Sequence, residues 1–90
     1  MKENRNLEIE TRTKKYILAT GKALSNIKML DKSLVSEIDI RMVLNSAKNY
    51  YRDAQHYLEA EDFTTALASI TYCEGLMDAL KFMGFADFSW

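Results

Sequence analysis

Asn49, Asp53 and His56 stand at i, i+4 and i+7, the spacing that puts three side chains on one face of an α-helix. Further along, Glu74 and Asp78 stand at i and i+4. If those two faces met, one imidazole and three carboxylates would be offered to a divalent cation. Bundles that hold two metals repeat a Glu-x-x-His motif on two helices, whereas Asp53-x-x-His56 occurs once here. The plainer reading is preferred: Asp53 and Asp78 accept hydrogen bonds from tyrosine hydroxyls, or from Arg52 and Arg41. No metal and no other cofactor is assigned.

Catalysis by other routes finds little support. Arg52 and His56 stand too close together for the arginine–histidine motif of helical RNA-cleaving domains. A single histidine also leaves no partner for paired imidazole acid–base chemistry within one protomer. Cys73 lies among apolar neighbours and reads as a buried, inert thiol rather than a nucleophile.

The aromatic residues suggest contact rather than chemistry. Tyr50, Tyr51, Tyr57 and Tyr72 should gather near one helix junction, as core with hydroxyls at the rim or as the lining of a pocket. Gly75, inside a helical run, points to the close approach of a neighbouring helix, or else of a ligand, with the helix preferred. Phe82, Phe85, Phe88 and Trp90 crowd the last residues, where exposure costs about 25 cal/mol per Å² of apolar area. They should fold back over the open end of the bundle, or meet a partner. Tyr51, Tyr72, Phe82, Phe85, Phe88 and Trp90 are the candidate interaction surface.

Three helices must carry these groups. With no proline and three glycines in 90 residues, long uninterrupted helices are expected. The first is predicted over 6–30, capped near Asn6, with Ile9, Tyr16, Ile17, Ala23, Leu24, Ile27 and Leu30 on its core stripe. Gly21 interrupts it and again suggests a close neighbour. Asp31, Lys32 and Ser33 read as the connection. The second helix is predicted over 36–59, opening on a capping box variant from Ser36 to Asp39. Its stripe is Ile40, Val43, Ala47, Tyr50, Ala54, Tyr57 and Leu58. Asp62 caps the third, predicted over 62–83 with Phe63, Ala66, Leu67, Ile70, Cys73, Met77 and Leu80 inward. Gly84 closes it with Phe85 behind, as in a Schellman cap, and an aromatic tail follows over 85–90. Short connections make neighbouring helices antiparallel, so the fold class is an all-α, up-and-down three-helix bundle forming a single domain over 1–90.

The net charge of −1 gives no overall field toward nucleic acid or membrane. It is unevenly spread: residues 1–32 carry a net +4 and residues 33–90 a net −5. The basic part reads as a first helix lying against a more acidic pair, since its lysines are not interleaved with aromatics. One cysteine allows no internal disulfide and fits a reducing, cytoplasmic setting. No apolar run is long enough to span a membrane, and the opening residues lack the pattern of a secretory signal.

The segment from Tyr50 to Gly84 resembles an archaeal family, domain-of-unknown-function family 357. The likeness is carried by Tyr51, Asp53-Ala54, Tyr57-Leu58, Asp62, Ala66-Leu67, Tyr72, Gly75, Asp78-Ala79 and Gly84. It implies a three-helix bundle similar to the immunoglobulin/albumin-binding-domain-like fold, and no known activity. The family often has glycine just before the aspartate, where this chain has Glu61. A left-handed residue there costs about 1 kcal/mol relative to glycine, so a slightly different turn is expected. A fainter likeness to tetratricopeptide hairpins stops at one copy, which excludes a solenoid.

The residues thus describe a non-enzymatic helical interaction module with a protein partner or a second copy of itself. The alternative is a small-ligand or divalent-metal protein using the acidic and histidine side chains of the second and third helices. A weaker alternative is an RNA-associated accessory using the basic first helix, though nucleic acid is disfavoured as a partner.

Overall fold

A computed structural model describes residues 2–29 and 36–90, with side chains from residue 5 onward. Three helices, α1 (Lys2–Asn26), α2 (Glu37–Glu59) and α3 (Phe63–Phe82), are accompanied by two short strands, β1 (Lys28–Met29) after α1 and β2 (Ala86–Asp87) after α3. The fold is an all-α three-helix bundle. Its core gathers Ile17 and Ala23 of α1, Ile40, Leu44, Ala47 and Ala54 of α2, and Ile70, Cys73, Met77 and Leu80 of α3.

The α2–α3 hairpin is the most closely packed pair. Its turn is a Schellman motif in which Glu61 N–H donates to the Leu58 carbonyl at 3.0 Å and Asp62 N–H to that of Tyr57 at 2.9 Å. Glu61 takes φ 61°, the left-handed conformation that favours glycine. This chain thus forms a left-handed turn with glutamate, which bears a strain that glycine would not. Asp62 then caps α3, its carboxylate accepting from Thr65 N–H at 3.2 Å. At the far end Gly84 takes φ 79°, with bonds from Gly84 N–H to Lys81 and from Phe85 N–H to Leu80. That second Schellman turn sends the tail back across the bundle and buries Phe85.

Several expectations need correction. α1 runs from Lys2 to Asn26 rather than over 6–30, so Asn6 lies inside the helix and Ile27 beyond it. After Asn26 the chain extends, and Lys28–Met29 pairs antiparallel with Ala86–Asp87. Apolar residues at 27 and 29 fit this extended segment as well as a helical stripe. Leu30, Asp31, Lys32 and Ser33 lie outside the described residues. Ser36 sits at the start of α2 but makes no side-chain cap. Tyr50 is not core: it lies on the surface, and Leu44 fills that role instead.

Two core positions of α1 are threonines. Thr13 returns its hydroxyl to the Ile9 carbonyl at 2.6 Å, whereas the buried Thr20 hydroxyl has no partner. Gly21 faces Tyr51 of α2, and a Cβ there would collide with the tyrosine hydroxyl. That contact also sets the level of α1. Tyr51 stands nine residues before Ala60, so α1 passes the α2–α3 turn about nine residues before Gly21. The earlier turns project beyond it, which accounts for a molecule 52 Å long and about 20 Å across.

Candidate functional site

The polar cluster read from the spacing does not come together. Asn49, Asp53 and His56 lie on the exposed side of α2. Asn49 accepts from Arg52 at 3.1 Å, and His56 meets the edge of Tyr57 at a centroid distance of 5.3 Å. Arg41 donates to Glu37 on the first turn of α2. Glu74 and Asp78 belong to different surroundings: Glu74 is partly enclosed on α3, and Asp78 meets the returning tail. Asp78 accepts from the Trp90 indole N–H at 2.8 Å rather than from a tyrosine or an arginine. Among the described residues, no three His, Cys, Asp or Glu side chains converge as a metal site would require.

Two of the remaining groups are perturbed by burial. One Glu74 carboxylate oxygen is enclosed without a hydrogen-bond partner. Burial, and then the Asp78 charge, raise the Glu74 carboxyl above its usual range. Burial, and then Glu74, push the Cys73 thiol up to about 12. Cys73 is fully enclosed, its sulfur 3.8 Å from that of Met77. A thiol so held stays protonated and packs as a small apolar group.

The six aromatic candidates divide. Phe85 and Phe88 are buried in the core, Tyr51 is half-buried against α1, and Trp90 is half-exposed. Lys81 fastens the tail: its ammonium donates to the Phe88 carbonyl at 2.8 Å and sits 5.0 Å from the Phe88 ring centre. Trp90 closes the arrangement edge-on to Phe88, at 5.0 Å.

The two remaining aromatic candidates are exposed along α3, while Leu7 and Leu18 of α1 and Ile38 and Met42 of α2 are exposed elsewhere. Phe82 is 82% exposed and Tyr72 64%, with Met83 beside Phe82 at 55%. Tyr72 stacks on Tyr50 of α2, ring centres 5.2 Å apart and planes 18° from parallel. Between Tyr72 and Phe82 the surface dips. Gly75 has nothing within 4 Å of where its Cβ would stand, contrary to the expected helix contact. Thr71, Tyr72, Gly75 and Leu76 line a shallow hollow of about 310 Å³ there. Spacing alone places Tyr50 inward, three residues after buried Ala47 and four before buried Ala54. The exposure of Met83 is not legible because α3 is apolar on both sides, so the sequence alone does not say which stripe is covered.

Among the described residues, the fold and this surface define a three-helix bundle with an exposed aromatic face and no assembled metal-ligating cluster. A family model described as Protein of unknown function (DUF357) matches residues 15–86, and the chain belongs to that family. The match starts near the level where α1 begins to pack on the hairpin. Comparison with curated proteins and with solved structures finds no match. Among the described residues, no helix is long and apolar enough to cross a membrane.

Proposed function

We propose that this chain is a non-enzymatic helical interaction module that associates with protein through the outer face of α3. The observation that carries this reading is the second apolar face of α3. Ala66, Ile70, Cys73, Met77 and Leu80 fill the core, yet the opposite side presents Tyr72, Phe82 and Met83 to water. A helix apolar all round is ordinarily covered on both sides. Large apolar groups set around a hollow, with no charge between them, suit a protein surface better than a polar ligand. The tail supports the reading indirectly, since Phe85 and Phe88 are already used to complete the core. A cytoplasmic setting suits a lone, buried Cys73 with no second cysteine to pair with.

Site-specific photo-crosslinking in cells that produce the protein tests this. A photoreactive phenylalanine analogue in place of Tyr72 should give discrete protein adducts, and one in place of Thr11 on the opposite helix should not. Equal labelling from both positions, or none from Tyr72, would remove the reading.

A further inference from the structure

We propose that the partner is a second copy of this chain, docked antiparallel along α3 so that each Phe82 enters the hollow beside the other copy's Gly75. This rests on the association reading above and names the occupant of the face.

The spacing along α3 is the first ground. Its core positions Ala66, Ile70, Cys73, Met77 and Leu80 alternate in steps of four and three. The outer positions Ala68, Tyr72, Gly75, Ala79 and Phe82 alternate in the same way, two residues out of phase and so about 200° around the helix. Steps of three and four are how a helix presents a continuous seam to another helix. One seam is filled by α1 and α2. The other is empty.

The second ground is self-complementarity. A contact between identical copies about a two-fold axis requires that if residue i meets j, then j meets i. Phe82 is the most exposed large apolar side chain described, and the hollow at Gly75 lies two turns earlier on the same line, about 10 Å away. An antiparallel copy whose two-fold axis crosses at the level of Met77 brings Tyr72 against Phe82 and Gly75 against Ala79, twice over, with each Phe82 at the Tyr72 side of the other copy's hollow. The small residues let the backbones approach while the rings fill the hollows. A parallel copy would set Phe82 against Phe82 and leave both hollows empty.

Charge and area agree. None of the five seam residues is charged, and Asp78, which borders the seam, is turned toward Trp90. With large apolar side chains carrying about 150–250 Å² each, the exposed parts of Tyr72, Phe82 and Met83 in two copies amount to about 600–1,000 Å², below the roughly 1,200 Å² of stable interfaces and in the range of weak, transient ones. The pair is therefore a reversible one, formed at the higher protein concentrations.

Sedimentation equilibrium of the purified full chain, from low micromolar to near-millimolar concentration, tests the proposal. The wild type should move from 10.4 kDa toward twice that mass. Phe82→Lys removes the inserted ring and Gly75→Leu fills the hollow. Both positions face open space, so circular dichroism should show each protomer folded while the dimer is lost. Leu18→Lys, at an exposed apolar site on α1, should leave the dimer intact. Mixing Gly75→Cys with Ala79→Cys should give a disulfide that neither variant forms alone. A wild type that stays monomeric throughout, a dimer that survives Phe82→Lys, or a Gly75→Cys homodimer would overturn the antiparallel pair. Tyr72 adducts with a different protein, seen beside a monomeric wild type, would remove the second copy and leave the association reading standing. With no adducts at all, both fall.

Discussion

Glu74 shows at the scale of one side chain how spacing can suggest chemistry that the fold does not use. Its i, i+4 relation to Asp78 resembles half of a metal site. In the bundle it is a partly enclosed carboxylate with one oxygen unbonded. Because burial raises its folded-state pKa, ionising Glu74 costs stability. Its favourable contribution is complete below the unfolded carboxyl range and is lost as pH rises through the folded value. Glu74→Gln should therefore melt higher than wild type at pH 8, and the difference should shrink toward zero as pH falls below the carboxyl range. Melting curves of the two proteins across pH check this, and a constant difference would contradict it. The candidate polar site was legible only as a set of helix faces. A spacing of i, i+4, i+7 says that Asn49, Asp53 and His56 share a side, but not whether that side meets α3 or water. The buried Thr20 was missed for a related reason, since a hydroxyl at a core position reads as surface until its neighbours are known.

The helix ends carry the same lesson one level up. Asp62 and Gly84 announce their roles locally, through a side chain that bonds the next turn and a residue free to adopt positive φ. Those boundaries, and the inward stripe of α3, could be read from neighbours in the chain. The end of α1 could not. Ile27 continues the helical stripe, and what stops the helix is pairing with residues near the other end of the chain. The α2–α3 turn is an intermediate case: the need for a left-handed residue is local, but this chain meets it with Glu61. Glu61→Gly keeps the Schellman bonds and removes the strain, so it should stabilise the protein by about 1 kcal/mol. Chemical denaturation should show a later midpoint with an unchanged slope. A lower midpoint would mean that the glutamate side chain makes a compensating contact.

For the molecule as a whole, the tail is a structural member of the bundle rather than an appendage. Phe85 and Phe88 complete the core, and Lys81 and Asp78 hold the last residues over it. Truncation to an alanine at a buried phenylalanine costs about 3–5 kcal/mol, against total stabilities of about 5–15 kcal/mol. Phe88→Ala should thus lower the melting temperature by more than about 10 °C, at roughly 4–8 °C per kcal/mol for a domain of this size. Removal of 85–90 should abolish the cooperative transition, as followed by circular dichroism. An unchanged melting point in either variant would contradict the packing of the tail. The pairing of β1 with β2 has a kinetic side as well. The α2–α3 hairpin joins residues close in sequence, so its assembly closes only a short loop. Seating α1 through β1 requires β2, which lies beyond the end of that hairpin. The order of events follows from the topology: the hairpin collapses first, the tail turns at Gly84, and α1 is clasped last. A slow final step in refolding, and the first amide protons to exchange, should both belong to α1.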